Sequence, residues 1–310
     1  MLCGAGRFGS GSDVLGLDDE MSRDHDWGLR LNLLVPREYV EEVDAHLAAA
    51  LPDTVLGLPT RFATTWDPAV RHRVQVQTAR DLAVSRLGVD PTGPLGVADW
   101  LDLTGQAVLE VTAGEVFSDD AGELAAIRRT LAWYPDDVWR YVVAADWARL
   151  AQELPFVGRT GERGDDLGSR VVAARLAHVA LHLAHLLDRR WPPYAKWLGT
   201  SAARLPRTGG VVPLLGRALR ADAWNEREEG LVEAVRLLGR VQGRSGLPAV
   251  DDPVEPFWDR RYRGVREAVV GSLEDAVTDP AVRALPRGVG SAEQWSANVD
   301  VLVDPSRRLR

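Results

Sequence analysis

The sequence predicts an α+β chain: a small domain mixing short strands with helices, followed by a larger all-helical domain. Three observations carry this. From Phe8 to about Gly88, short apolar strand-like runs alternate with one helical run; from about Asp119 onward the periodicity is helical throughout; and the Gly/Pro/Asp-rich segment DPTGPLG (90–96) lies between them as a seam. A chain of 310 residues is long enough for two cores, and the division expected is 1–115 and 116–310.

The elements follow in order. LRLNLLV (29–35) is strand-like, and REYVEEVDAHLAAALP (37–52) has helical spacing that Pro52 stops. HRVQVQT (72–78) alternates apolar and polar residues, the mark of a half-buried strand. AGELAAIRRTLAWYP, DDVWRYVVAADWARLAQELP and DLGSRVVAARLAHVALHLAHLLDRR read as amphipathic helices. VPLLGRALRA, DAWNEREEGLVEAVRLLGRV and RYRGVREAVVGSLEDAVTD continue the pattern. Most of the 11 tryptophans fall in this half, where large aromatic surfaces hold helices together.

Bulk composition narrows the function classes. A net charge of -8 gives no general attraction to nucleic acid or anionic membrane, so neither is an expected partner. The single cysteine, Cys3, excludes an intrachain disulfide and a cysteine-based zinc cluster. No signal peptide and no apolar run of spanning length stand out, so the expected location is cytoplasmic. Basic charge is almost wholly arginine, and Lys196 is the only lysine.

The most informative stretch is GSGSDVLGLDDEMSRDHDWG (9–28), which runs straight into the strand LRLNLLV. Strand alternation puts Asp24, Asp26, Gly28, Arg30, Asn32 and Leu34 on one face and a mostly apolar set on the other. Asp24 and Asp26 would then sit roughly 7 Å apart. Two like charges so placed repel unless a cation bridges them, and a hard divalent cation such as Mg²⁺ or Mn²⁺ suits oxygen ligands. Upstream, Gly9, Gly11 and Ser12 offer backbone N–H groups and a hydroxyl for a phosphate. That combination suits phosphoryl or nucleotidyl transfer. The plainer reading is an Asp/Gly-rich turn leading into an edge strand.

The order GS, short loop, S-x-D-x-D, strand (Gly11, Ser12, Ser22, Asp24, Asp26) resembles the signature of the DNA polymerase beta-type nucleotidyltransferase superfamily. More narrowly, GSDVLGLDDEMSRDHDWG, YPDDVW, QELPFVGRTGERGDDLGS and PPYAKWLGTSAARLP resemble a bacterial group of nucleotidyltransferase-like proteins with a C-terminal domain of unknown function (domain of unknown function 4037). The superfamily resemblance implies a mixed sheet flanked by helices, an NTP substrate, and Mg²⁺-dependent attack on its α-phosphate with pyrophosphate leaving. It implies a third acidic metal ligand on HRVQVQT, where this chain carries Gln75 and Gln77; position 75 is the expected place. A neutral amide is a poorer ligand and cannot serve as general base. About ten residues precede Gly11, room for one short strand and no helix.

Further candidates lie in the second half. QELPFVGRTGERGDDLGSR could be a loop facing the first domain, with Arg159 for the triphosphate and Glu153 or Glu162 to activate an acceptor; or an interhelical loop whose Asp165 or Asp166 caps the next helix. Lys196 would serve as a point charge for phosphates if its helix faced the cleft, and is otherwise a surface lysine. His178, His182 and His185 share a helical face, but no carboxylate lies within a turn, so they read as core or surface histidines rather than metal ligands. Two functions remain open. One is nucleotidyl transfer from an NTP, with Mg²⁺ on Asp24 and Asp26, to a small hydroxylated molecule. The other is a catalytically inactive module that binds a nucleotide or a protein through the same cleft.

Overall fold

The computed structural model describes residues 2–23, 28–65 and 67–308. Asp24 and Asp26 therefore lie outside the described residues. In chain order the elements are β1 (Gly4–Gly6), β2 (Leu31–Leu34), α1 (Val40–Ala50), β3 (Thr54–Val55), β4 (Leu58–Pro59), β5 (Arg61–Thr64), β6 (Asp67–His72), β7 (Val74–Gln77), α2 (Ala79–Leu87), α3 (Val97–Asp102), α4 (Gly105–Thr112), β8 (Val116–Asp119) and α5 (Glu123–Thr130). They continue with α6 (Asp136–Gly161), α7 (Asp166–Asp188), α8 (Ala195–Ala203), α9 (Val211–Arg220), α10 (Trp224–Gly243), β9 (Val254–Pro256), β10 (Arg263–Val265), α11 (Glu267–Asp275), α12 (Pro280–Arg283), α13 (Ala292–Trp295) and α14 (Val299–Val303). The fold is α+β, as the pattern predicts.

Two compact units emerge, and they interleave in sequence. Among the described residues, unit 1 comprises those of 2–95, 106–132 and 303–308, and unit 2 those of 96–105 and 133–302. The expected single division after residue 115 thus becomes several crossings, one of them at the predicted DPTGPLG seam.

In unit 1, among the described residues, four strands form a mixed sheet in the order β7-β2-β1-β8. β2 and β7 run parallel, while β1 is antiparallel to both β2 and β8. The parallel pair requires a crossover, and α1 with the small hairpins β3–β4 and β5–β6 supplies it. α2 begins where the Thr78 hydroxyl accepts from the Asp81 N–H at 3.0 Å and ends at Gly88 in the left-handed region. β2 departs from the simple alternation. Asn32 and Leu34 are buried, whereas Leu31 and Leu33, on the face expected to be the core, are half-buried. β2 is an interior strand with parallel pairing, so alternation does not separate core from solvent.

Unit 2 is built on α6 and α7, with α9, α10 and α11 packed around them. α6 runs 26 residues and passes through Pro155, so the first part of the candidate loop QELPFVGRTGERGDDLGSR (152–170) is helix as far as Gly161. Proline costs that helix one backbone donor, and burial of the surrounding face offsets the loss. Gly158 permits close approach, since a Cβ there would lie 2.7 Å from that of Tyr262. The Asp165 carboxylate accepts from the Gly168 N–H at 2.8 Å and caps α7. α7 is long and apolar enough to cross a membrane by composition, contrary to the sequence reading, but 67% of its apolar window is buried in the protein. It is the core helix of unit 2. The unit also carries the hairpin β9–β10, where only helix was expected.

Burial sorts the histidines of α7. His182 Nδ1 lies 2.6 Å from Asp146 Oδ2, and Nε2 lies 3.3 Å from Glu293 Oε1. Burial opposes its charge, but Asp146 and Glu293 together prevail and push its pKa up to about 10. His185 shows the reverse. Burial pushes it down to about 4; the neutral ring donates from Nδ1 to the Leu181 carbonyl, and Nε2 accepts from Ser201 Oγ at 2.9 Å. Both are core histidines. The carboxylate partner comes from α6, which spacing along α7 could not reveal.

Candidate functional site

A cavity of about 640 Å³ opens in unit 1 beside β2 and β7. Its floor is a side-chain pair set by sheet register. Asn32 and Gln75 face each other across the parallel strands, and Asn32 Nδ2 donates to Gln75 Oε1 at 3.0 Å. Asn32 Oδ1 accepts from the Phe8 N–H at 2.8 Å, so this 2%-exposed amide ties the chain after β1 to the floor. Phe8 is buried, and the Arg128 guanidinium covers its ring at 5.1 Å.

Three guanidiniums gather at one end: Arg7 after β1, Arg30 before β2 and Arg86 in α2. Their side chains are 15%, 19% and 27% exposed, well removed from bulk water. Asp13 takes Arg7 Nε at 2.6 Å and Arg30 at 3.3 Å. Glu110, 2% exposed, takes Arg86 at 3.2 Å and the Gln106 amide at 3.2 Å. Burial lowers the pKa of Arg7, and repulsion from Arg30 and Arg86 lowers it further against the pull of Asp13. Burial raises that of Glu110 despite Arg86. This end of the cavity is a cluster of three guanidiniums with which Asp13 and Glu110 pair.

The remaining basic residues differ. Arg73 is spent on structure: it bonds the carbonyls of Phe62, Asp67 and Ala69 and the Asp67 carboxylate, fastening the β5–β6 hairpin. With Arg71 it holds the Asp67 carboxyl down to about 2. Opposite lie Glu41, Asp44 and His72, with His72 Nε2 3.5 Å from Asp44. The cavity is therefore mixed, with Phe8, Leu31, Val40, Val74 and Val76 in its lining, cationic at Arg7, Arg30 and Arg86 and carboxylate-bearing on α1.

The predicted site residues divide. Gln75 lines the cavity, but Gly11 and Ser12 do not; their unpredicted neighbour Ser10 does. Gly11 instead wraps a carboxylate. Its φ is 140°, and a Cβ there would fall 2.1 Å from Asp13 Oδ1. Ser12 Oγ donates to Asp18, and Ser22 Oγ bonds Asp19 in a local turn. The expected phosphate cradle of Gly11 and Ser12 is thus occupied by the loop's own aspartates. In unit 2, Glu153 lies within α6, 7% exposed, and accepts from Arg175 at 2.6 Å. Glu162 pairs with Arg261 at 2.7 Å. Arg159 stacks over Phe156 at 5.6 Å, and Lys196 over Trp197 at 5.0 Å. Each has a local partner within unit 2.

Sequence reasoning missed Arg7, Arg86, Asn32 and His72. Arg30 and Asn32 stand on the face that alternation assigned to Asp24 and Asp26, so that signal was present. Arg7 and Arg86 come from distant segments and carry no pattern of their own.

The described residues do not by themselves fit a divalent cation. Among them no group of three His, Cys, Asp or Glu side chains is arranged to hold a metal. The Gln75 oxygen already accepts a hydrogen bond, and Glu110 is committed to Arg86.

Comparisons with known proteins add a family match and one distant fold. Residues 100–198 match the model of a domain of unknown function, DUF4037. No curated protein matches this chain. A nucleotidyltransferase-like protein from Exiguobacterium sibiricum 255-15 is similar over 79% of this chain and 70% of its own, with 14% identity and a TM-score of 0.37. A likeness so distant leaves the chemistry to be read from the residues.

Proposed function

We propose that unit 1 binds a nucleoside triphosphate and transfers its nucleotidyl group to a small hydroxylated acceptor. The observation that carries this reading is the convergence of Arg7, Arg30 and Arg86, drawn from three segments, in one cavity. Guanidiniums partly removed from water repel one another, and a polyphosphate relieves that repulsion, although Arg7 already donates to Asp13 and to the Phe8 and Ser10 carbonyls. Asp26 stands four residues before Arg30 in the chain, so the S-x-D-x-D segment leads directly into the strand that floors the cavity. In this reading Asp24 and Asp26 hold Mg²⁺, which neutralises phosphate charge when bound. The arginines orient the phosphates, and the carboxylates of Glu41 and Asp44 accept from acceptor hydroxyls.

A second reading is favoured by Gln75. The position where a third acid would stand carries an amide locked to Asn32, which suits a module that binds a nucleotide without turning it over. Pyrophosphate release from each NTP, with Mg²⁺ or Mn²⁺ and pooled hydroxylated acceptors, separates the two. Release that disappears in Asp24→Asn supports transfer. Saturable NTP binding without release supports the inactive module, and no NTP binding overturns both.

A further inference from the structure

A second pocket, of about 470 Å³, lies wholly within unit 2 between α6 and the segment around α13. Its rim carries Trp295, 69% exposed although it is among the largest apolar side chains of the unit. The indole N–H donates to the Val289 carbonyl at 2.7 Å, which fixes the edge of the ring and leaves its faces without a polar function. The preceding residue, Gln294, is anchored by bonds to the Val142 carbonyl, the Asp146 carboxylate and the Ser291 N–H. Trp295 is therefore an exposed ring on a rigid mount.

The polar lining complements that ring. Arg149 donates to the Gln294 carbonyl at 2.8 Å and lies 3.7 Å from Glu153, leaving other guanidinium donors for a guest. Arg287, 80% exposed in its side chain, pairs with Glu274 at 3.3 Å. The charge of Glu153 is already shared by Arg149 and Arg175. The charged side chains of the lining are Arg149, Arg287 and Glu153, so the lining favours an anion although the whole chain is acidic. Gln152 adds an exposed amide.

We propose that this pocket binds a small planar oxyanion: an aromatic ring that stacks on Trp295 and bears a carboxylate or phosphate held by Arg149 and Arg287. A volume of this size suits a single-ring ligand. A guanidinium fork matches either head group, and the fixed indole supplies the stacking face. The site is separate from the cavity of unit 1 and does not depend on the function proposed there.

Benzoate and phenyl phosphate are the probes, titrated into the full chain while the indole N–H resonances are followed by NMR. Trp295→Phe identifies the Trp295 signal. The expected result is a saturable shift of that signal with one or both probes. Arg287→Ala, a change at an exposed side chain, weakens binding about tenfold, the usual scale for a charge-assisted hydrogen bond. The tighter probe identifies the head group. Absence of a saturable shift with either probe overturns the proposal. So does an unchanged affinity in Arg287→Ala, or binding of benzyl alcohol as tight as that of benzoate.

Discussion

Glu228 of α10 offers a substitution that should stabilise the protein at one pH and not at another. The residue is 7% exposed, and burial pushes its carboxyl up to about 7, with the Arg263 N–H, donating to Oε1 at 2.9 Å, pulling the other way. Because the folded pKa lies above the unfolded one, the folded chain keeps a proton that the unfolded chain releases between pH 4.5 and about 7. Stability falls as pH rises through that window, and a deficit of about 3 kcal/mol persists above it. Glu228→Gln removes the charge and keeps the oxygen that accepts from Arg263. Its new amide N–H₂ costs about 1 kcal/mol if it finds no partner. The net gain expected is about 2 kcal/mol at pH 8.5, turning into a loss of up to about 1 kcal/mol at pH 4.5, where no charge is left to remove. Urea unfolding followed by tryptophan fluorescence reports it, since Trp139, Trp147 and Trp224 lie with Glu228 in unit 2. Equal shifts at both pH values would refute the reasoning, as would a variant less stable at pH 8.5.

Other groups give signs of their own. His182, its pKa raised, contributes stability that is complete below pH 6.5 and is lost as pH rises through about 10. His182→Gln leaves Asp146 and Glu293 without their cation and should cost about 3–5 kcal/mol at pH 7 by urea unfolding, the range for breaking a buried ion pair. His185, its pKa lowered to about 4, contributes about 3 kcal/mol that is lost as pH falls from 6.5 to 4, so the difference in unfolding free energy between wild type and His185→Gln should move by that amount in favour of the variant between the two pH values. Gly11→Ala forces a Cβ into the Asp13 carboxylate at a φ of 140° and should lower the melting temperature while weakening NTP binding. Gln75→Glu keeps the acceptor for Asn32 and adds an anion at the cavity floor, so Mg²⁺ binding by calorimetry should tighten.

Sequence pattern made the architecture legible where local chemistry dictates it. The helical run ahead of Pro52 is α1, DPTGPLG marks a crossing between the units, and α7 and α10 follow their apolar spacing, whereas α2 between Thr78 and Gly88 was not foreseen. It misled where tertiary context overrides local preference. The glycines and Pro155 in QELPFVGRTG suggest a loop, yet packing keeps α6 helical to Gly161. The interleaving of the units was invisible because a return of residues 303–308 to unit 1 leaves no trace in periodicity. Of the cavity, sequence found Gln75 and the strand bearing Arg30 and Asn32. The arginine cluster needs Arg7, Arg30 and Arg86 brought together from three segments, a juxtaposition that only the fold creates.

The central claim is that this cluster holds a triphosphate beside a metal carried by Asp24 and Asp26. Calorimetric titration of ATP and GTP, each with and without Mg²⁺, tests it in the wild type, in Arg30→Ala and in Asp24→Asn/Asp26→Asn. The account predicts saturable NTP binding that Mg²⁺ tightens, a loss of about tenfold or more in Arg30→Ala, and loss of the Mg²⁺ effect in the double variant. Binding that is the same in all three proteins, or no binding of either nucleotide, would contradict it.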